Sequence, residues 1–91
     1  MIKHLNITVQ GKVQGVSYRV TTKAVADQLG VRGFIRNEAN GDVYIEAEAE
    51  QSLMELFMEW CEDGPDPARV TAVTTTEGEI KNYRNFEVVK K

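Results

Sequence analysis

The hydrophobic pattern of the chain changes its period several times within 91 residues. Apolar and polar residues alternate over residues 5–9, which is the pattern of a strand with one buried face. From Tyr18 to Leu29 the apolar residues recur at helical spacing, and Gly30 follows at the position where many helices end. The first thirty residues therefore predict a half-buried strand, a short loop and an amphipathic helix.

The rest of the chain continues this succession of strand and helix patterns. Asn40-Gly41 separates two strand patterns and is a strong signal for a hairpin with a type I′ turn, which requires positive φ at both central residues. Gly64-Pro65-Asp66-Pro67 ends the second helical pattern. The predicted strands after the first helix cover residues 31–37, 42–48, 70–76 and 85–89, and the predicted second helix covers residues 51–62.

The order of elements is β-α-β-β-α-β with one additional strand, which is the order of the ferredoxin-like fold. We therefore expect an α+β sandwich in which an antiparallel sheet carries both helices on one face. Glu46, Glu48 and Glu50 should line the other, solvated face of the sheet. Because a chain of this length has room for one hydrophobic core, residues 1–91 should form a single domain.

The charge balance of the chain is slightly acidic, with 14 Asp and Glu residues against 11 Lys and Arg residues. A net charge of −3 disfavours a nucleic-acid partner, because proteins that bind nucleic acids use basic surfaces to neutralise phosphates. An RNA-binding domain of the same element order would also need aromatic residues on its central strands. The composition is compatible with a local site for one small anion.

Neither a membrane segment nor a disulfide is predicted from the sequence. No apolar run approaches the roughly 20 residues that span a bilayer, and no signal peptide is expected. Cys61 is the only cysteine, and no cysteines and histidines have the spacing of zinc ligands. We expect a cytoplasmic monomer with no metal, no cofactor, no membrane contact and no nucleic-acid partner.

A glycine-flanked loop joins the first strand to the first helix and ends on Arg19. Gly11 and Gly15 can form the turn, and a missing Cβ also lets the backbone come close to a ligand. The unpaired N–H groups of a helix start favour an anion, and a guanidinium adds charge and fixed geometry. We expect a phosphate-like anion to bind here, at Gln14, Gly15, Val16, Ser17, Tyr18 and Arg19.

A second candidate, Asn37, ends the strand before the predicted hairpin. An asparagine at a strand end is often only a turn residue, so the pattern leaves a structural and a catalytic role open. An amide is not a strong base near neutral pH. It can nevertheless hold a water by donating and accepting hydrogen bonds, while the substrate takes the proton.

The remaining reactive side chains are weaker candidates for chemistry. His4 lies on an alternating strand and is expected to be structural or exposed. Ser17 has no histidine or lysine placed to activate it as a nucleophile. Cys61 lies on the apolar stripe of the second helix and should be packed rather than reactive. Glu46, Glu48 and Glu50 could recruit a metal as carboxylates two residues apart, but no histidine or second cluster in the sequence supports such a site.

The motifs around Arg19 and Asn37 resemble those of the acylphosphatase family. The stretch Gly11-Lys12-Val13-Gln14-Gly15-Val16-Ser17-Tyr18-Arg19 is similar to the signature of that family. Gly33-Phe34-Ile35-Arg36-Asn37, followed by Asn40-Gly41-Asp42-Val43, is similar to its second block. The resemblance extends in order to Phe86-Glu87-Val88 and so covers nearly the whole chain. One departure is Ser17, which stands where the family commonly has glycine.

The resemblance implies a ferredoxin-like enzyme that hydrolyses the carboxyl-phosphate bond of acyl phosphates, without a metal and without a phosphoenzyme. By position, Arg19 would bind the phosphate together with the loop N–H groups, and Asn37 would orient the attacking water. A small-molecule acyl phosphate would be the partner. The alternative is a non-catalytic module that binds phosphate or carbamoyl phosphate, since related domains occur within larger proteins.

Overall fold

The computed structural model describes residues 1–90 and contains two helices and five strands among them. Every predicted element is present, with boundaries close to those predicted. In chain order the elements are β1 (Ile2–Lys12), α1 (Tyr18–Leu29), β2 (Arg32–Asn37), β3 (Val43–Glu50), α2 (Gln51–Asp63), β4 (Arg69–Glu77) and β5 (Phe86–Val89).

The sheet has the strand order β4-β1-β3-β2-β5. Three of its pairings are antiparallel, but β5 pairs with β2 in parallel, so the sheet is mixed rather than antiparallel throughout. β4 lies at one edge of the sheet and β5 at the other. The connection between them therefore crosses the sheet, and it enters β5 at the end where β2 also begins. The ferredoxin-like architecture is confirmed, with this one pairing corrected.

Helices α1 and α2 pack against each other and against the same face of the sheet, as predicted. The register aligns Ile7 of β1 with Ile45 of β3 and Ile35 of β2, and all three side chains are fully buried. Phe57 of α2 packs edge-on against Phe86 of β5, with ring centroids 5.9 Å apart. The apolar faces that alternation and helical spacing predicted therefore form one continuous core.

Two hydrogen bonds, one buried and one partly buried, join α1 to α2 near the predicted site. The Tyr18 hydroxyl donates to the main-chain oxygen of Cys61 at 2.7 Å, and Trp60 Nε1 donates to Thr22 Oγ1 at 2.9 Å. Burial raises the pKa of the Cys61 thiol to about 12, which keeps it protonated at neutral pH. Cys61 is therefore a packed residue, as expected, and Tyr18 anchors the start of α1 to the core.

The opposite face of the sheet is not solvated at its centre, contrary to expectation. Residues 78–84 cross it, and the main-chain N–H groups of Lys81 and Tyr83 donate to the carboxylate of Glu48. Glu48 is fully buried and Glu46 is 9% exposed, whereas Glu50 is exposed as predicted. Strand alternation gives the face that a side chain occupies, but it cannot show that a distant segment covers that face.

His4 is a structural residue within this buried polar layer. Its Nδ1 lies 2.7 Å from Glu48 Oε2, and its Nε2 lies 2.9 Å from Asn6 Oδ1. Burial alone would raise the pKa of Glu48, but hydrogen bonds from the N–H of Lys81 and from His4 outweigh it and lower the pKa. The carboxylate of Glu48 therefore remains charged, with several donors around it.

The β2–β3 hairpin is present, but its turn differs from the predicted type I′. Gly41 has a φ of 100°, whereas Asn40 is not among the residues with positive φ. Asn40 instead accepts a hydrogen bond from the N–H of Asp42 through its side chain, at 3.0 Å. The connection between the two strands spans Glu38 to Asp42. Within it, Asn40 stabilises the turn through its side-chain amide and not through a left-handed backbone.

Candidate active site

Arg19 and Asn37 meet at the end of the sheet where α1 begins and β2 stops. Both line a small cavity of about 120 Å³ at the glycine loop, together with Gly15 and Ser17. Both also line a larger cavity of about 600 Å³, which the β2–β3 turn and the end of β5 help to form. The fold therefore brings together the two residues that the sequence singled out, although they lie on different elements.

The loop before α1 contains two residues with a left-handed backbone, separated by one residue. Gly15 has a φ of 71° and Ser17 a φ of 63°, both in the left-handed region. A left-handed backbone is disfavoured by roughly 1–2 kcal/mol for a residue with a Cβ, so glycine would occupy position 17 with less strain than Ser17. Val13 and Val16 are buried beneath the loop and hold it against the core.

The N-terminus of α1 carries an uncompensated positive end. Its N-cap, Ser17, makes no side-chain capping hydrogen bond, and the first turn contains no acidic residue. Within residues 1–90, the N–H groups from Gln14 to Arg19 donate to no main-chain oxygen. A helix start with unpaired N–H groups and a nearby arginine is suited to an anion such as phosphate.

The guanidinium of Arg19 is held at the site by the last residue of β5. Its Nη1 donates to the main-chain oxygen of Val89 at 2.9 Å. This contact joins residues that are 70 positions apart. Its acceptor is a main-chain oxygen, which every residue has, so the sequence does not show which one accepts. Sequence reasoning therefore identified Arg19 but could not show that β5 orients it.

The side-chain oxygen of Asn37 is buried and has no hydrogen-bond partner among the described residues 1–90. A buried acceptor without a partner costs about 1–3 kcal/mol, so proteins seldom leave one unless it serves a ligand or a water. The atom belongs to a side chain that lines both cavities. The Asn37 oxygen is therefore placed to accept a hydrogen bond from a ligand or a water bound in the site.

The amide of Gln14 ties the loop to the β2–β3 turn. Its Nε2 donates to the main-chain oxygens of Glu38 and Asp42, each at 2.8 Å. The sequence suggested only a main-chain contribution from Gln14 to an anion site, and it gave no sign of this side-chain role. The two bonds connect the segment before Arg19 to the turn that directly follows Asn37.

A second arginine, Arg36, lines the larger cavity beside Glu38. Sequence reasoning placed Arg36 within the second motif but assigned it no role. The available signal was its position directly before Asn37. Strand alternation, however, puts neighbours on opposite faces, so the pattern gave no sign that Arg36 and Asn37 would line the same cavity.

The described part of the chain has neither a cluster of metal ligands nor a membrane-spanning helix. In residues 1–90, no three His, Cys, Asp or Glu side chains are grouped so that they could hold a metal ion. Neither of the two helices there has the length and apolar character of a membrane span.

Comparison with known proteins identifies the family. The acylphosphatase family model matches residues 5–88. An acylphosphatase of Enterococcus faecalis is 45% identical over 91 residues, covering 98% of this chain and all of the relative. An acylphosphatase of Ligilactobacillus salivarius is 41% identical over 88 residues, covering 96% of this chain and 98% of the relative.

The solved structures agree with the sequence comparisons. The crystal structure of acylphosphatase from Bacillus subtilis superposes with a TM-score of 0.94 at 30% identity, over 99% of this chain and all of that one. The match in sequence extends through both motifs, and the match in structure includes every element. The chain belongs to the acylphosphatase family.

Proposed function

We propose that this protein hydrolyses acyl phosphates to a carboxylate and orthophosphate, using Arg19 and Asn37. The observation that carries the proposal is the meeting of these two side chains at both cavities, with the Asn37 oxygen buried and unpartnered among residues 1–90. The phosphoryl group would occupy the small cavity. There it would bind the guanidinium of Arg19 and the N–H groups from Gln14 to Arg19.

In the proposed reaction, Asn37 holds a water in line with the bond to be broken. The water oxygen attacks phosphorus, and the bond between phosphorus and the acyl oxygen breaks with its electron pair passing to the carboxylate. The water proton passes to a phosphate oxygen, so no protein base is needed. A carboxylate is a good leaving group, and positioning with charge stabilisation can therefore supply the catalysis.

The direct test follows hydrolysis of benzoyl phosphate by the purified protein in the presence of EDTA. We expect clear acceleration over buffer and competitive inhibition by orthophosphate. Arg19→Ala should weaken phosphate binding by about 10- to 150-fold, the effect of one charge-assisted hydrogen bond. Arg84→Ala is the matched control, because Arg84 is exposed in the segment that crosses the far face.

Asn37→Ala separates binding from catalysis. We expect turnover to fall about 100-fold, the effect of losing the geometry of a reacting group, while orthophosphate still binds. Turnover that survives this substitution would remove Asn37 from the mechanism. A parent protein that binds orthophosphate through Arg19 but accelerates no hydrolysis would instead be the non-catalytic binding module.

A further inference from the structure

The larger cavity exceeds what a phosphoryl group needs. It measures about 600 Å³, against about 120 Å³ for the cavity at the glycine loop. Because Arg19 and Asn37 line both, a substrate whose phosphoryl group contacts them can extend from the small cavity into the large one. The large cavity is therefore where the acyl group of a substrate would lie, and its lining decides which acyl groups fit.

The lining of the large cavity is mainly polar and charged. Ala39 and Val89 supply its only apolar side chains among residues 1–90. Two guanidinium groups and one carboxylate supply its charges, those of Arg19, Arg36 and Glu38. A group with its own negative charge would therefore meet an excess of positive charge in this cavity.

The guanidinium of Arg36 is held in a fixed position by contacts on two sides. Its Nε donates to Glu38 Oε2 at 2.6 Å. Its Cζ lies 4.8 Å from the centre of the Tyr44 ring and 5.7 Å from that of Phe34. The hydrogen bond to Glu38 raises the pKa of Arg36, so the group stays charged. A charged group that is already ordered loses less entropy when it binds a ligand.

The contact with Glu38 uses only one edge of the guanidinium. Among residues 1–90, Nε is the only atom of Arg36 that makes a side-chain hydrogen bond or ion pair. A guanidinium carries five N–H donors, and its Nη edge matches the two oxygens of a carboxylate. Arg36 therefore lines the cavity that would receive the acyl group, and its Nη edge has no side-chain partner among residues 1–90.

We propose that Arg36 makes the enzyme selective for acyl phosphates whose acyl group carries a carboxylate. This proposal rests on the proposed function, because it assumes that the phosphoryl group occupies the loop. Arg36 would bind the distant carboxylate while Arg19 binds the phosphoryl group. The competing role for Arg36 is purely structural, as a brace of the β2–β3 turn through Glu38 and Tyr44, and that role would affect every substrate alike.

The test compares two substrates that differ only at the far end, benzoyl phosphate and 4-carboxybenzoyl phosphate. We expect the parent protein to have the higher kcat/KM for the carboxylated substrate. Arg36→Gln should lower that preference about three- to tenfold, as expected for a partly exposed charged contact. Arg36→Lys keeps the positive charge but lacks the paired N–H donors of a guanidinium, and it should retain part of the preference. Arg84→Gln removes an equal charge elsewhere and should leave the preference unchanged.

Two results would overturn the proposal. One is a parent protein without preference for the carboxylated substrate. The other is an Arg36→Gln variant that loses the same factor on both substrates, which is the behaviour of a structural brace. If the parent hydrolyses neither substrate, the proposed function fails, but selectivity is still measurable. The binding of benzoylphosphonate and 4-carboxybenzoylphosphonate by calorimetry then gives the same ratio without turnover.

Discussion

Replacing Gln14 by alanine tests whether the loop and the β2–β3 turn act as one unit. The substitution deletes both hydrogen bonds from Gln14 Nε2, to the main-chain oxygens of Glu38 and Asp42. Glu38 directly follows Asn37, so these bonds fix the end of β2 relative to the loop that carries the phosphate-binding N–H groups. The amide would act on the reaction through Asn37 rather than by touching substrate.

The size of the effect depends on the hydrogen bonds that each of the two carbonyl oxygens retains in the variant. The oxygen of Asp42 still accepts from the N–H of Glu38 at 2.8 Å, and the oxygen of Glu38 still accepts from the N–H of Gly41 at 3.1 Å. Neither is left unpaired, so no additional burial penalty arises. Two neutral hydrogen bonds contribute about 2 kcal/mol. If the whole loss falls on the transition state, kcat decreases about 30-fold.

The assay measures kcat, the inhibition constant of orthophosphate and the free energy of unfolding in urea for Gln14→Ala. We expect kcat to fall by up to about 30-fold and phosphate affinity to fall much less, since Arg19 and the main-chain donors remain. Gln28→Ala is the control, because Gln28 is exposed on α1. In an Asn37→Ala background, Gln14→Ala should lower kcat no further.

Two outcomes would refute this reasoning. If Gln14→Ala loses about 2 kcal/mol in the free energy of unfolding but keeps the parent kcat, the amide only stabilises the hairpin. Additive losses in the double variant with Asn37→Ala would equally show that Gln14 does not act through Asn37.

Three further predictions concern the scaffold of the site. Because hydrogen bonds hold the pKa of Glu48 below its ordinary 4.5, its contribution to stability is complete above that pH and is lost as the pH falls toward the folded-state pKa. Urea titrations between neutral and acid pH should show this loss, and Glu48→Gln should flatten it. Gly33→Ala would drive a Cβ into the main-chain oxygen of Glu46, so we expect at least about 3 kcal/mol of destabilisation and a lower Tm. Tyr18→Phe removes the bond to Cys61 and should cost about 1–2 kcal/mol in urea unfolding, with phosphate affinity unchanged.

Local signals in the sequence were sufficient for the elements of the fold. The change from period two to helical spacing predicted both the start of α1 at Tyr18 and its end before Gly30. The glycine has a φ of 78°, and its N–H caps the last turn. Such features depend on neighbours a few residues away, and they are therefore encoded in short stretches of sequence.

Non-local contacts account for two of the expectations that were wrong, the solvated position of Glu48 and the antiparallel pairing of every strand. Glu48 lies on the polar side of an alternating strand, yet it is fully buried because Lys81 and Tyr83 bring their N–H groups over it. The parallel pairing of β5 with β2 has the same origin, since it depends on how residues 78–84 cross the sheet. Neither contact involves sequence neighbours, and alternation gives the same pattern with or without a covering segment.

The sequence by itself determined the order of the elements, the glycine loop and the two side chains on which the proposed chemistry depends. Arg19 and Asn37 were identifiable because their residue types and motif positions suit an anion and a water. The tertiary structure decided how these groups are held: β5 binds the guanidinium of Arg19, Gln14 ties the loop to the turn, and Arg36 reaches the cavity beside them. The physical reason is that residue type sets what a group can bind, whereas its partners are brought together only when distant strand ends meet.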